Sequence, residues 1–189
     1  MFQFSIKRIE EKLQALYANT QTLDIGKRDR IVIFSDLHLG EGGKSDDFEN
    51  NGDLFENILR DYYLKKDYRL ILNGDIDELL RFNEQAIIKR WKNIYDLFEA
   101  FHQRGKLVKI FGNHDIELKN GDRMGYGIDP VESIKLNYDG HGIFIFHGHQ
   151  AAPDIQYNAT LIKPILRFLA KPLGIKNYLV ANNSKKKYQ

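Results

Sequence analysis

Residues 31–40 read Ile-Val-Ile-Phe-Ser-Asp-Leu-His-Leu-Gly. Four apolar side chains, the first three β-branched, predict a short buried strand over Ile31–Phe34, and the polar run Ser35-Asp36-Leu37-His38 marks where the chain leaves it. The same arrangement recurs downstream. Arg69–Asn73 predicts a strand running into Gly74-Asp75, Lys106–Phe111 one running into Gly112-Asn113-His114-Asp115, and Gly142–Phe146 one running into His147-Gly148-His149. Between them, residues 48–65 carry helical spacing. From Asn83, the residues Ile87, Ile88, Trp91, Ile94, Tyr95, Phe98 and Phe101 form an apolar stripe closed by Gly105. Upstream, Ser5 is the expected N-cap of a helix over residues 5–18, with Ile6, Ile9, Leu13, Leu16 and Tyr17 at helical spacing. Strand, helix, strand, helix, strand predicts an α/β fold in which helices layer a sheet.

Every polar cluster falls just past a strand end, which is where open α/β sheets bind ligands. Four strands delivering Asp, His, Asp, Asn and His to one edge would build a pocket rich in oxygen and nitrogen, suited to a hard or borderline divalent metal. Asp36 and His38 lie two apart, so on extended backbone their side chains share a side. Gly74 permits a tight turn before Asp75, whose carboxylate can bridge two cations, and His38 and His147 offer neutral imidazole nitrogens. Taken singly, Asp-x-His also reads as a loop hydrogen bond and Gly-Asp as a turn. The repetition at successive strand ends is what separates the two readings.

Together these motifs resemble the calcineurin-like metallophosphoesterase superfamily, whose pattern runs Asp-x-His, Gly-Asp, Gly-Asn-His-Asp or Glu, a lone His-Gly, and a closing Gly-His-x-His. The first four correspond to Asp36-Leu37-His38, Gly74-Asp75, Gly112-Asn113-His114-Asp115 and His147-Gly148. The resemblance implies a four-layer metallophosphoesterase-like α/β sandwich with two divalent metal ions, manganese foremost, with iron, zinc or magnesium as alternatives. It implies that Asp36 and His38 hold the first metal, that Asp75 bridges both, and that Asn113 and His147 hold the second. It further implies in-line attack by a hydroxide, with His114 as general acid or cationic stabiliser and Asp115 orienting His114. The closing motif has no counterpart, because His149 is the last histidine of the sequence. The sandwich is therefore expected to be incomplete at its C-terminal end. His149 has the spacing of that motif from His147 but follows the wrong strand, and is read as a substrate-side pocket residue.

The remaining sequence sets bounds. A chain of 189 residues, 42% apolar and 29% charged, is long enough to bury a core and sufficiently apolar to fold. The absence of cysteine excludes disulfides, thiolate nucleophiles and Cys-ligated metal. The apolar runs are too short to cross a bilayer, and an N-terminus without an apolar h-region predicts a cytoplasmic protein. Between Ile155 and Gln189 stand seven basic side chains and no acidic one, so the whole-chain charge of +2 leaves −5 for residues 1–154. The chain thus divides into a core over residues 1–150, N-terminal helix included, and a basic amphipathic segment over 151–189, expected to form a helical lid or insertion with a Lys-rich tail. Lys163, Arg167 and Lys171 recur four apart beside Leu161, Ile162, Ile165, Leu166, Phe168 and Leu169.

That segment and Asp36-Leu37-His38-Leu39-Gly40 are similar to the UDP-2,3-diacylglucosamine pyrophosphohydrolase branch. The similarity implies an amphiphilic phosphoester, peripheral contact with anionic membrane, and Arg167 near the substrate. Asp77 and Glu78 depart from that branch and are read as favouring the start of the next helix through its dipole. The function expected is metal-dependent hydrolysis of a phosphomonoester, phosphodiester or pyrophosphate. Two alternatives stand beside it: a catalytically impaired binding module on the same fold, and a nuclease-type phosphodiesterase using Lys185–Lys187. An acidic body without an aromatic-interleaved basic groove speaks against nucleic acid as partner.

Overall fold

The computed structural model describes residues 2–120, 127–151, 167 and 168. In chain order these form α1 (Phe2–Asn19), β1 (Thr22–Asp24), β2 (Ile31–Phe34), α2 (Gly52–Ile58), β3 (Arg69–Asn73), α3 (Glu84–Arg90), α4 (Lys92–Gln103), β4 (Leu107–Ile110), β5 (Ser133–Tyr138) and β6 (His141–Phe146). A π-helical stretch, Leu59–Leu64, prolongs α2, and short 3-10 turns cover Ile116–Asn120 and His149–Ala151. Helix α1 begins a turn before Ser5, so that residue is inside the helix rather than its cap. The helix expected over 48–65 starts later, at Gly52. Asp46 holds the preceding residues in a loop by accepting the backbone N–H groups of Gly40 at 3.2 Å, Gly42 at 2.8 Å and Phe48 at 2.9 Å. The stripe from Asn83 is two helices, because Trp91 leaves helical backbone and donates its indole N–H to the Gly40 carbonyl at 2.9 Å. Asn83 caps α3 by accepting from the Gln85 N–H.

Strands β2, β3 and β4 pair in parallel in the order β2-β3-β4, with Phe34 beside Leu72 and Asn73 beside Ile110. All three therefore end at one edge. The central strand is buried on both faces, and Leu70, Ile71 and Leu72 are fully excluded from solvent. Leu70 and Leu72 face a core shared with Phe55 of α2 and with Ile94, Tyr95, Phe98 and Phe101 of α4.

The fourth expected strand, β6, does not join that sheet. It belongs to a second one, ordered β1-β5-β6, with β1 parallel to β5 and β5 antiparallel to β6. Asp139 and Gly140, both at positive φ, make the two-residue turn between β5 and β6. The two sheets face each other across Ile71 and Ile110 on one side and Ile134, Leu136 and Ile145 on the other. On β6 the alternate residues Phe144 and Phe146 turn the opposite way, towards α1, where Tyr17 meets Phe144 edge-on with ring centroids 5.2 Å apart. Lys135 reaches the Tyr17 carbonyl at 3.0 Å from the same sheet. Helices, sheet, sheet and helix make four layers, an α/β sandwich. The accessory segment expected after Ala151 falls outside the described residues except at Arg167 and Phe168.

The inter-sheet layer is thin, so its methyl groups matter individually. Ile71→Ala is expected to lower unfolding free energy by about 3 kcal/mol, read by urea denaturation with unchanged m. A loss below about 1 kcal/mol would mean that the two sheets do not pack on Ile71.

Candidate metal centre

The ends of β2, β3, β4 and β6 meet because the loops between them are laced together by backbone hydrogen bonds. Asp36 N–H donates to the Gly74 carbonyl at 3.1 Å, His38 N–H to the Asp75 carbonyl at 3.0 Å, and Leu39 N–H to the Ile76 carbonyl at 2.8 Å. His114 N–H donates to Asp75 Oδ1 at 2.8 Å, which ties the loop after β4 to the loop after β3. Asp36, His38 and Asp75 all lie at positive φ, between 51° and 57°. The extended backbone expected at Asp36 and His38 is thus replaced by left-handed backbone, a conformation Asp and His tolerate better than most residues. Their ligand atoms still gather, and those of Asp36, His38 and Asp75 lie within 4.8 Å of one another.

Asp75 is the centre of the arrangement. Around its Oδ2 stand the Nε2 atoms of His147 at 3.3 Å, His114 at 3.9 Å and His38 at 4.0 Å. In each imidazole the other nitrogen is held by an oxygen. His147 Nδ1 donates to the Asn73 carbonyl at 2.9 Å. His38 Nδ1 lies 3.2 Å from Glu78 Oε2, and His114 Nδ1 lies 2.8 Å and 2.9 Å from the two oxygens of Glu78. Oxygen partners at Nδ1 fix the protonated nitrogen there and turn Nε2 inwards as a ligand atom. The rings of His38 and His114 stand edge to face, 4.7 Å between centroids.

The charges follow from this lacing. Burial works against ionising Glu78, but the hydrogen bonds and positive charge of His114 and His38 outweigh it and bring its pKa down to about 2. Burial likewise opposes a proton on His114, and the Glu78 carboxylate overrides it, so the His114 pKa rises. His147 is raised to about 9, the burial cost being exceeded by its hydrogen bond to Asp75. Asp75 itself is lowered, because His147 and His114 overcome its desolvation.

The structure brings Asp36, His38, Asp75, Asn113, His114 and His147 to this edge, Asn113 half-buried in the loop beside His114. Asp115 is fully buried but turned away from the imidazoles. Its carboxylate accepts the N–H groups of Gly112 and of Ile76, the latter at 3.1 Å, so the contact expected between Asp115 and His114 is made by Glu78 instead. No helix begins at Asp77 and Glu78. The next starts at Glu84, and Glu78 is wholly buried between two histidines. Two carboxylates set among Ile76, Leu79 and Leu80 were the signal, since a buried charge requires partners. His149 packs its ring near those of Phe111 and His147, with centroids 6.0 Å and 5.7 Å away. Arg167 donates to the carbonyls of Leu79 at 2.9 Å and Phe82 at 3.0 Å, so two of its hydrogen bonds go to the turn after Glu78.

Residues 29–180 match the family model for calcineurin-like phosphoesterases. No curated protein and no solved structure matches the chain.

Because the Glu78 pKa falls from 4.5 to about 2, its ionisation adds stability that is complete above pH 4.5 and lost as pH falls through about 2. The shift corresponds to roughly 3 kcal/mol. In metal-free protein, Glu78→Gln is expected to lower stability at pH 7 and to flatten the decline below pH 4.5, followed by urea unfolding at stepped pH. Superimposable pH profiles for variant and wild type would refute this account of Glu78.

Proposed function

The chain belongs to the calcineurin-like phosphoesterase family, and from that premise we propose that it hydrolyses a phosphomonoester, phosphodiester or pyrophosphate with two divalent metal ions. The observation that carries this reading is the convergence of three imidazole Nε2 atoms on Asp75 Oδ2. Asp75, faced by the Nε2 atoms of His38 and His147 and with Asp36 beside it, is a donor set that fits borderline divalent cations, and the third imidazole, His114, is left to carry a proton. Asp36 and His38 would hold one ion, Asn113 and His147 the other, with Asp75 shared between them, and manganese is the ion to load first. When bound, such a pair supplies Lewis-acid charge and makes water a nucleophile near neutral pH.

The protein's own residues do the rest. Glu78 favours the protonated form of His114 against the cost of burial and aims its Nε2 at the site. From there the proton can pass to a leaving oxygen, or remain as positive charge beside a phosphoryl group. His147, held through Nδ1 by the Asn73 carbonyl, would present a deprotonated Nε2 to a metal, so metal affinity would rise with pH. Asp115 secures the backbone on both sides of the centre through Gly112 and Ile76. An amphiphilic substrate, as in the UDP-2,3-diacylglucosamine pyrophosphohydrolase branch, is one member of this substrate class.

One second reading is a binding module that keeps the fold without turnover, since a fold does not fix its chemistry. Metal content and turnover separate the two. After manganese loading and desalting, about two ions per wild-type chain are expected, and fewer with Asp75→Asn. His114→Gln is expected to retain metal while kcat on bis(p-nitrophenyl) phosphate falls by about 10²–10⁴. A wild-type rate no greater than that of Asp75→Asn would reject hydrolysis and leave the binding module.

A further inference from the structure

A second charged group lies beneath the metal centre, on the helix side of the β2-β3-β4 sheet. Lys109 of β4 and Asp77 are both fully buried, and the Lys109 ammonium donates to Asp77 Oδ2. Tyr95 of α4, equally buried, donates its hydroxyl to Asp77 Oδ1. The Lys109 charge also acts on Asp115, which accepts from Ile76 and Gly112. The buried ammonium is thus in direct contact with the Asp77 carboxylate. Asp77 belongs to the loop that carries Asp75 and Glu78, and Asp115 to the loop that carries Asn113 and His114.

Burial of this group needs a reason other than stability. A buried ion pair commonly contributes no more than well-packed apolar residues of the same volume. What it does impose is direction, since an ammonium on β4 accepts its carboxylates in few places. Asp77 turns inwards to Lys109 and Tyr95, while its neighbour Glu78 reaches His38 and His114. Fixing Asp77 thus sets the height at which Glu78 meets both imidazoles.

We infer that Lys109 is a positioning residue of this site. From β4, which leads into the loop over 112–115, it holds the loop over 74–78 through Asp77 at the separation that lets Glu78 bond to His38 and His114 together. The catalytic consequence rests on the phosphoesterase reading, whereas the placement is a property of the metal-free chain.

The test removes the three bonded polar groups together: Lys109→Met, Asp77→Leu and Tyr95→Phe combined, beside Asp77→Asn alone. The metal-free proteins are compared by thermal unfolding and by the downfield proton NMR signal of the His114 Nδ1–H, assigned by its loss in both Glu78→Gln and His114→Gln. The manganese-loaded proteins are compared on bis(p-nitrophenyl) phosphate. The triple variant is expected to melt cooperatively, to lose or shift the Nδ1–H signal, and to show kcat lowered about 10–100-fold with little change in KM. Asp77→Asn, which keeps the volume, is expected to change the same signal less. A cooperatively folded triple variant with wild-type signal and kcat would overturn the inference. Should the triple variant fail to fold, Asp77→Asn with wild-type signal and kcat would do so. If wild type proves inactive while the signal responds as expected, the phosphoesterase reading falls and the placement by Lys109 stands.

Discussion

The metal centre depends on a steric constraint where the chain crosses itself. A Cβ on Gly112 would come within 2.1 Å of Asp75 Oδ1 and 2.5 Å of Asp75 N, and one on Gly74 within 2.3 Å of His147 Nδ1. Neither position has room for a methyl group, and Gly74 also sits at φ 78°. The two glycines let the loops after β3 and β4 and the end of β6 come within hydrogen-bonding reach of one carboxylate. Asp75 then takes the backbone of one loop with Oδ1 and faces three imidazoles with Oδ2. In Gly-Asp and Gly-Asn-His the glycine is thus as much a part of the site as the ligand beside it.

Bringing so many ligands together costs conformational energy. Asp36, His38 and Asp75 each occupy left-handed backbone, at roughly 1 kcal/mol or more apiece. The offset is local, in the ladder that runs from Asp36 to Leu39 against Gly74 to Ile76 and returns through the Glu78 N–H to the Leu39 carbonyl. It is also regional, since those loops lie over the aromatic core of Phe55, Tyr95, Phe98 and Phe101. Strain concentrated at ligand positions, with ordinary geometry in the strands that lead to them, is the distribution expected of a pre-organised site.

Charge is arranged in two tiers across the same loops. Glu78 joins His38 and His114 in the upper tier, and Asp77 joins Lys109 and Tyr95 in the lower. Adjacent residues serve both because successive side chains on a short non-helical segment turn in different directions. Arg167 adds a third attachment, from a remote part of the chain to the carbonyls of Leu79 and Phe82 just beyond. The segment from Gly74 to Phe82 is therefore fixed from above, from below and at its far end.

Much of this was legible in the sequence. The strands β2, β3, β4 and β6 follow from β-branched runs that end in polar residues, and the site follows from what stands at those ends, since local pattern and chemistry coincide there. Asp139-Gly140 between alternating apolar residues is a hairpin signal for β5 beside β6, and β5 was not among the strands expected from the sequence. Sheet membership was different. The turn joins β6 to β5, but nothing local says that the pair stands in a sheet apart from β2-β3-β4, because that is decided by long-range packing of Ile134, Leu136 and Ile145 on Ile71 and Ile110. The partners of Glu78, Asp77, Lys109 and Asp115 also lay beyond local reading. A carboxylate beside a predicted helix looks the same in sequence whether it meets solvent, a helix dipole or two histidines more than thirty residues away. The sequence by itself marked the polar residues at the strand ends as candidate ligands and the strands that present them. The tertiary structure alone decided which carboxylate touches His114 and which cation lies beneath it, because burial and proximity are set by contacts between segments distant along the chain.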